Sequence, residues 1–537
     1  GHFCCAGVTG GQNERKHVTD CQGKKMNDRV RKIVIVGGGT SGWMAACFLN
    51  SVLATPNANE NVSITLIESQ DIGIIGVGEA TLAHIKQIMI AVGIDEFDFM
   101  RCCDATFKNA IRFDNFRAKG DTFWHPFSQL SRVNNFDMVN LWLGALRSGH
   151  KGGYAEAVAQ DPAMCLKFLA PKRKEDQPYD GLVNYAYHID TIKLGRYLRD
   201  RAKERGVIHV IDLVTNTSQN ENGNITHVST REHGDIDGDL FIDCTGFRSL
   251  LLGNALGEPF RSFNDALFND SAVAMRVPNP EDQRDIRPYT TCSAQDAGWI
   301  WNIPLYKRTG VGHVYSSAHM DKDGAEQTLR DYVGPANEGL EANHIPMRIG
   351  RSERAWVKNV VSLGLSGGFI EPLESTGIYL VELGLVMLRD YFPTKSTMAT
   401  FAKRYNRHMA SFYDEIRDFI TMHYCLTDRT DTEYWRLCHD HPAIPDSLAD
   451  KLELWQARLP TENDLDYTSD VPAFSSVSYN YILAGMDHLP PNPLPTESMQ
   501  DLNFARAVLE DRAKSIADIV AQAPYHMDML DRIHSGG

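Results

Sequence analysis

Apolar, β-branched runs alternate with amphipathic segments along the first part of the chain. Residues 33–36 form a fully apolar run, as expected of a buried parallel strand. A glycine-rich segment follows at once, and residues 43–49 then have the composition of a helix. A second apolar run over 62–67 ends at Glu68. This order predicts a parallel strand–helix–strand unit with an acid at the tip of its second strand.

The rest of the chain changes from mixed to mostly helical patterning. The predicted middle elements are a helix over 188–205 and strands over 207–214, 224–228 and 239–246. Two long helices are predicted near the end, over 401–425 and 498–523, with a proline-rich extended linker at 489–493 between them. The pattern predicts an α/β fold, with a Rossmann-type nucleotide-binding core over residues 26–395 and a mostly helical region over 396–537.

Composition excludes several classes of partner. The chain has 537 residues, of which 43% are hydrophobic, enough for a sizeable core. Its formal charge of −15 argues against a nucleic-acid-binding surface or an anionic membrane partner. Apolar runs fall short of the ~18 residues that a membrane helix needs. These features indicate a soluble globular protein, and they say nothing about small substrates.

The cysteines and the N-terminus bear on location. The 11 cysteines are odd in number, and neither cysteine nor histidine shows zinc-ligand spacing. We therefore expect a reduced, cytoplasmic protein without a metal site. Residues 1–25 lack the apolar segment of a secretory signal, and Met26 resembles a natural start. We predict that residues 1–25 are a disordered, dispensable leader or an appended extension.

The glycine-rich segment has the spacing of a dinucleotide-binding loop. It follows a predicted strand and opens a predicted helix, so its glycines let the backbone approach a pyrophosphate at the helix N-terminus. The acid at the end of the next strand would accept hydrogen bonds from a ribose. The alternative is a glycine turn without a ligand. The predicted contact residues are Gly37, Gly39, Thr40, Ser41, Gly42 and Glu68.

Two further motifs follow downstream. Trp299 and Trp301 alternate, which places both indoles on one face of a strand, and Pro304 limits that strand. By itself this pattern is equally typical of a core wall. Residues 371–377 read Glu-Pro-Leu-Glu-Ser-Thr-Gly. With the glycine loop, and in this order, the motifs resemble the flavin-dependent tryptophan halogenase family, for which Trp-x-Trp-x-Ile-Pro is diagnostic.

The resemblance implies FAD rather than NAD as the cofactor. Gly78, Glu79 and Ala80 match a family loop that lies against the flavin, and Gly364 precedes the segment that approaches the isoalloxazine. A second glycine-rich unit suited to NAD(P)H is missing from the sequence. The resemblance therefore implies a two-component system, in which a separate flavin reductase supplies reduced FAD.

The resemblance also implies the chemistry. Reduced FAD, O₂ and chloride or bromide would yield hypohalous acid, which Lys108 would hold by a hydrogen bond or as a haloamine. Glu374 would orient that species and accept the proton that the ring loses, with Glu371 as its rival for the role. Ser375, Thr376 and Gly377 would bind halide. The alternatives are a solvated lysine at a strand edge, a helix-terminal acid and an ordinary helix cap.

The substrate pocket matches the family only in part. His125 and Phe127 correspond to a pair that sandwiches an indole, although His125 could instead be a core histidine. Phe474 stands where tryptophan-specific members carry a clamp tryptophan, and their usual acid and tyrosine partners are not found. The sequence therefore favours indole or another indole-like aromatic over free tryptophan.

We predict a flavin-dependent halogenase of an indole-like ring. An FAD-dependent aromatic hydroxylase and a non-catalytic flavin-binding protein are the alternatives. The resemblance adds the expectation of a homodimer.

Overall fold

The structure, a computed structural model, describes residues 28–54, 62–71, 76, 78–128, 132–133, 136–465, 473–493 and 501–536. The leader predicted over residues 1–25 lies outside the described residues. Within them, no helix is long and apolar enough to cross a membrane.

A six-stranded sheet forms the nucleotide-binding core. Its five parallel strands and one antiparallel edge strand confirm the predicted parallel unit. The first helix, Thr40–Val52, connects strand Lys32–Val36 to its neighbour Ser63–Glu68. In spatial order the strands are Ile208–Ile211, Ser63–Glu68, Lys32–Val36, Leu240–Asp243, Val360–Ser362 and Trp356–Val357.

A second, seven-stranded sheet carries the tryptophan motif. The strand Gly298–Pro304 lies inside this sheet and is buried along its whole length. It ends at Pro304, as predicted. In spatial order the strands are Asn343–Pro346, Ser271–Pro278, Arg308–Tyr315, Gly298–Pro304, Tyr289–Gln295, Ala110–Asp114 and Thr122–Pro126.

Smaller sheets and the helices complete the chain. The remaining strands are Glu79–Ala80, Thr106–Lys108, Arg132–Val133, Phe136–Asp137, Ala186–Ile189, Val214–Gln219, Ile225–Thr230, Gly234–Asp237, Phe260–Ser262, Gly350–Ser352 and Gly368–Phe369. The remaining helices are Ile85–Ala91, Glu96–Cys102, Met138–Arg147, Tyr154–Val158, Asp161–Leu166, Thr191–Glu204, Lys322–Val333, Thr376–Asp390, Met398–Cys425, Glu433–His439, Asp446–Ala457, Ser476–Gly485, Leu502–Gln522 and His526–Ser535.

Two predicted elements differ from the structure. The helix predicted over 188–205 begins only at Thr191, because the Asp190 side chain accepts the backbone N–H groups of Ile192 and Lys193 and caps it there. The residues before Asp190 pair with two short strands instead. The strand predicted over 207–214 stops at Ile211, and a new strand begins at Val214.

The helical C-terminal part packs back onto the sheets. The two long helices occur close to their predicted positions, as Met398–Cys425 and Leu502–Gln522. Helix Ser476–Gly485 contacts strand Thr122–Pro126. One hydrophobic cluster contains residues of both parts, among them Ile35 and Tyr479. This packing brings side chains of the C-terminal helices against the strand that carries His125.

Candidate active site

A cavity of about 830 Å³ opens at the carboxyl end of the parallel sheet. This volume lies in the upper part of the ~300–1,000 Å³ range of small-molecule sites. Nine of the ten predicted cofactor residues line it, whereas Gly42 does not. Trp299, Trp301, Ser375 and Gly377 also line it. The nine are Gly37, Gly39, Thr40, Ser41, Glu68, Gly78, Glu79, Ala80 and Gly364.

The glycine loop has the shape of a phosphate cradle. Gly37 has φ +114°, and a Cβ there would lie 2.2 Å from the Cys244 carbonyl oxygen. A Cβ on Gly42 would lie 1.9 Å from the Gly37 carbonyl oxygen. At Gly39 a Cβ would meet no described atom within 4 Å, and this residue lines the cavity. The loop thus closes on itself on one side and leaves space for a ligand on the other.

Glu68 lies at the tip of its strand and reaches the cavity wall. His209 Nε2 lies 2.8 Å from Glu68 Oε1, and Trp43 Nε1 donates a hydrogen bond of 3.4 Å to Oε2. His209 therefore fixes the carboxylate. His209 comes from a strand 141 positions further along the chain, and no sequence motif marks it.

Lys108 is completely buried beside this cavity. Its Nζ donates hydrogen bonds to the Thr81 carbonyl oxygen at 3.0 Å and to Ser375 Oγ at 2.9 Å. It also lies 5.2 Å from the centre of the Phe127 ring. Burial lowers the pKa of Lys108 to about 7, although Glu374 acts in the opposite direction. A solvated lysine at a strand edge is thereby ruled out.

Glu374 is a buried carboxylate held by two histidines. His125 Nδ1 lies 2.9 Å from Oε2, and His423 Nε2 lies 2.9 Å from Oε1. Burial alone would raise the pKa of Glu374, but the two histidines outweigh it and hold the pKa at about 2. Ser375, not Glu374, is the N-cap of helix Thr376–Asp390. His125 therefore binds a carboxylate and is not an inert core histidine.

Glu371 has a different set of contacts. Its Oε2 accepts hydrogen bonds from Trp299 Nε1 at 3.1 Å and from Asn269 Nδ2 at 2.7 Å. Burial raises its pKa, against the effect of these donors. The side chain of Glu371 thus fixes the first tryptophan of the motif, which distinguishes it from Glu374.

Aromatic rings enclose the far side of His125. Phe474 stacks on Phe419 with ring centres 3.8 Å apart and an interplanar angle of 15°. The His125 ring lies 6.4 Å from Phe474 and 6.2 Å from Tyr481. The fold therefore brings the predicted pocket residues His125 and Phe474 together, on the side of Glu374 that faces the C-terminal helices.

The amino-acid sequence matches known proteins along nearly the whole chain. The profile of the tryptophan halogenase family matches residues 32–501. The chain belongs to the tryptophan halogenase family. Tryptophan 6-halogenase SttH of Streptomyces toxytricini is 39% identical over 94% of this chain and 99% of that protein. The 7-chloro-L-tryptophan 6-halogenase KtzR of Kutzneria sp. (strain 744) is 40% identical, over 93% and 99%.

The solved structures agree. The tryptophan C-6 flavin-dependent halogenase Tar14, from taromycin biosynthesis, superposes with a TM-score of 0.88 at 39% identity, over 94% of this chain and 100% of that one. The predicted family, α/β fold and enzyme class are therefore confirmed. The protein is an FAD-dependent halogenase, which sets aside both the hydroxylase and the non-catalytic flavin-binding protein.

The predicted residues of this halogenase fall into two groups. Nine cofactor residues and the tryptophan pair line the cavity, whereas Lys108, Glu374 and His125 lie in the buried cluster behind it. Ser375 belongs to both, since it lines the cavity and accepts a hydrogen bond from Lys108.

Several residues of the site were not predicted from the sequence. His423, Phe419 and Tyr481 contact Glu374 or the aromatic pocket but belong to no motif. Arg196, Arg199 and Arg248 line the cofactor cavity. One sequence signal for the arginines was available: Arg196 and Arg199 lie three positions apart in a predicted helix, and residues at that spacing share a helix face.

Proposed function

We propose that this halogenase uses reduced FAD, O₂ and chloride or bromide to halogenate an indole-like aromatic ring. The observation that carries the proposal is the hydrogen bond from Lys108 to Ser375. It connects a cavity suited to a dinucleotide with a buried cluster suited to electrophilic chemistry.

The cavity fits FAD. The open side of Gly39, the uncapped start of helix Thr40–Val52 and the nearby arginines suit a pyrophosphate, and Glu68 suits a ribose. Bound in reduced form, FAD would supply the electrons with which O₂ becomes able to oxidise halide. In the proposal Gly78, Glu79, Ala80 and Gly364 contact the flavin. Trp299 and Trp301 keep the organic substrate away from it.

Ser375, Thr376 and Gly377 are proposed to bind the halide. They form the start of helix Thr376–Asp390, where backbone N–H groups and the helix dipole favour an anion. Thr376 Oγ1 is buried and has no hydrogen-bond partner among the described residues. A halide at this helix start would satisfy that hydroxyl.

Lys108 is proposed to hold the oxidised halogen. With a pKa near 7, the amine exists in both forms at neutral pH. The ammonium form donates a hydrogen bond to hypohalous acid. The neutral amine instead attacks it, so that an N–halogen bond forms and water leaves. In either case the ring's electron pair then takes the halogen, and the ring carbon must lose its proton.

Glu374 is proposed to accept that proton. The positive charge that develops on the ring is stabilised by a buried carboxylate more strongly than by water. The pKa of about 2 keeps Glu374 ionised before the reaction. A protonated ring intermediate is a strong enough acid to transfer its proton to so weak a base.

His125, Phe127 and Phe474 are proposed to enclose a flat ring. SttH and KtzR are named for tryptophan substrates. Here, two carboxylates near Phe474 accept hydrogen bonds from backbone N–H groups. Glu415 accepts from Phe474 N at 3.1 Å, and Glu462 accepts from Ser476 N at 3.0 Å. This use of nearby acids supports an indole-like ring over free tryptophan.

The remaining assignments complete the proposal. Residues 26–395 would bind cofactor and halide, and residues 396–537 would cover the substrate. A separate reductase would supply reduced FAD, and the halogenase would act as a homodimer. The cysteines within the described part of the chain are all free, which supports a reducing, cytoplasmic location.

Mass spectrometry of the product tests the function. The assay contains FAD, a generic flavin reductase, NADH and indole, with chloride or bromide, and a parallel assay contains free tryptophan. We expect halogenated indole, with the bromine isotope doublet when bromide is present. Halogenation of tryptophan in preference to indole would overturn the substrate assignment. Oxygenated product alone would overturn the halogenation chemistry.

A further inference from the structure

His188 lies in the middle of a small sheet that contains the strand of Lys108. It belongs to strand Ala186–Ile189, the central one of three. On one side His188 lies opposite Ala80, a predicted flavin contact, and on the other side it lies opposite Thr106. Thr106 begins the short strand that ends at Lys108. His188 is therefore the neighbour, across the sheet, of both the predicted flavin contact and the strand of Lys108.

Both ring nitrogens of His188 have hydrogen-bond partners. Nδ1 lies 3.1 Å from Thr106 Oγ1, and Nε2 lies 2.9 Å from Thr290 Oγ1. Thr106 Oγ1 in turn donates a hydrogen bond of 2.6 Å to the Pro304 carbonyl oxygen. The side chains of His188, Thr106 and Thr290 are all buried. A continuous chain of hydrogen bonds thus runs from Thr290 through the imidazole to Pro304.

The hydrogen at Nδ1 follows from these contacts alone. A carbonyl oxygen can only accept a hydrogen bond, so the single hydroxyl hydrogen of Thr106 is used at Pro304. Thr106 Oγ1 must then accept from His188, and Nδ1 carries a hydrogen in either charge state of the ring. Nε2 can accept from the Thr290 hydroxyl or donate to it. Both contacts therefore hold whether or not the ring is charged.

The chain of hydrogen bonds connects two parts of the site. Thr290 lines the cofactor cavity, and Pro304 ends the strand of the tryptophan motif. Thr106 lies two positions before Lys108, and alternate residues of a strand point to the same face. His188 thus bonds the strand of Lys108 to the wall of the cavity and to the tryptophan strand at once.

We infer that His188 is a positioning residue that fixes the strand of Lys108 relative to the cavity. The hydrogen bonds of the Lys108 amine, to Thr81 and Ser375, hold only the reacting tip of the side chain. His188 holds the strand behind it and does not line the cavity, so it acts through Lys108. The inference rests on the proposed function, in which Lys108 takes the oxidised halogen. A misplacement of about 1 Å can cost about 100-fold in rate.

The partition of the oxidised halogen tests this role. The assay contains the full chain, FAD, a flavin reductase, NADH, bromide, indole and a soluble thioether, which hypohalous acid converts to sulfoxide and halide. For His188→Leu we expect unchanged FAD affinity and an unchanged sum of the two products. The fraction of halogen on the ring should fall about tenfold to hundredfold. Slower formation of both products at an unchanged fraction would indicate a merely structural role and overturn the inference.

A nearly isosteric variant applies the same test without removing a ring. Thr106→Val loses the contacts to both His188 and Pro304 with little change of shape, so it keeps the inference testable if His188→Leu does not fold. We expect about a tenfold smaller fraction of halogen on the ring. Thr290→Val loses only the contact to Nε2, and its effect should be smaller and in the same direction. FAD titration and thermal unfolding report whether each variant is folded.

Amide side chains separate hydrogen bonding from ring volume. Asparagine places an N–H donor near the position of Nδ1, and glutamine places an amide near the position of Nε2. We expect His188→Asn and His188→Gln each to deliver a larger fraction of halogen to the ring than His188→Leu, because each keeps one contact. Equal losses in all three variants would show that the volume of the ring matters and not its hydrogen bonds, which would overturn the inference.

The matched control is Thr230→Val. Thr230 is also a buried strand residue, and its Oγ1 donates to the Gly234 carbonyl oxygen at 2.9 Å in a separate three-stranded sheet. We expect an unchanged fraction of halogen on the ring. If the wild type halogenates neither indole nor tryptophan, the proposed function fails, and the inference fails with it. A wild type that halogenates, with unchanged fractions in His188→Leu and Thr106→Val, overturns the inference alone.

Discussion

Individual side chains in this site ionise differently from their free forms because water does not reach them. Lys108 and Glu374 are both fully buried, yet every charged atom of theirs has a hydrogen-bond partner. Burial lowers the pKa of Lys108 and so removes most of its preference for the charged form. The carboxylate retains its charge only because two histidines donate to it. The chemistry therefore depends on single hydrogen bonds.

The lowered pKa of Lys108 makes stability depend on pH. Its pKa falls from 10.5 in the unfolded chain to about 7 in the fold, so the unfolded state binds more protons between these values. The contribution of Lys108 to the free energy of unfolding therefore decreases as the pH falls from about 10.5 to 7. Lys108→Met removes that cost, on the order of a few kcal/mol at pH 7.

The measurement is thermal unfolding of Lys108→Met and wild type at pH 7 and pH 9.5. We expect the difference in Tm, variant minus wild type, to be more positive at pH 7. An equal difference at both pH values would show that the lysine does not titrate in this range.

Glu374→Gln should lower the halogenation rate about 100-fold or more without changing the product, because the amide cannot accept the proton. Glu382→Gln is the matched control. Glu382 is also buried, its oxygens have no hydrogen-bond partner among the described residues, and burial raises its pKa well above 4.5. Burial thus favours the neutral form of Glu382, and we expect an unchanged rate. Equal effects of the two substitutions would argue against a specific role for Glu374.

At the scale of elements, two helix starts face the same cavity. Helix Thr40–Val52 begins after Gly39, and helix Thr376–Asp390 begins after Ser375. Neither has a side-chain cap in the part of the chain that the structure describes, so their first N–H groups are available to ligands. One cavity can thus receive two kinds of anion, a pyrophosphate and a halide.

Substitutions at two glycines test whether the start of helix Thr40–Val52 binds phosphate. Gly39→Ala adds a methyl group where no described atom lies within 4 Å, on the cavity side. We expect a folded protein with about tenfold or weaker FAD affinity, since the methyl group blocks the approach of phosphate to the backbone. FAD titration with fluorescence and thermal unfolding measure both quantities.

Gly37→Ala is the contrasting variant. Its φ of +114° and the 2.2 Å approach to the Cys244 carbonyl oxygen exclude a Cβ without backbone movement. We expect a lower Tm together with the loss of FAD. If both glycine variants bound FAD like the wild type, this loop would not be the phosphate site.

At the scale of the whole molecule, the fold separates two steps. The cavity holds the tryptophan pair and the uncapped helix starts, and the buried cluster holds Lys108, Glu374 and the aromatic pocket. The C-terminal part completes the second region through Phe419, His423 and Phe474, and it also contributes Tyr413 to the cavity. In the proposed mechanism, halide is oxidised in the cavity and the ring is substituted in the buried cluster.

This separation predicts that Lys108→Ala uncouples the two steps. Lys108 does not line the cavity, so FAD affinity should be unchanged and halide should still be oxidised. Halogenated indole should fall below detection, while a soluble thioether trap collects the released oxidant. FAD titration, product mass spectrometry and oxidation of the trap report the three quantities. Retained halogenation of indole would remove Lys108 from the mechanism.

The sequence by itself determined what depends on neighbouring residues. Apolar runs and glycine spacing identified the parallel unit and the loop, because a buried strand and a tight turn each need particular residue types within a few positions. Alternation identified the tryptophan strand and its end at Pro304. Motif order identified the family, and the resemblance singled out Lys108 and Glu374 as candidates.

Only the tertiary structure decided what depends on distant residues. Lys108 meets Ser375 across 267 positions, and His423 meets Glu374 across 49. Such pairs leave no periodic signal, so His423 was missed. A local pattern also failed at residues 188–190, where pairing with distant strands outweighed helical spacing. The pKa values of Lys108 and Glu374 follow from burial, which exists only once the sheets and the C-terminal helices have packed together.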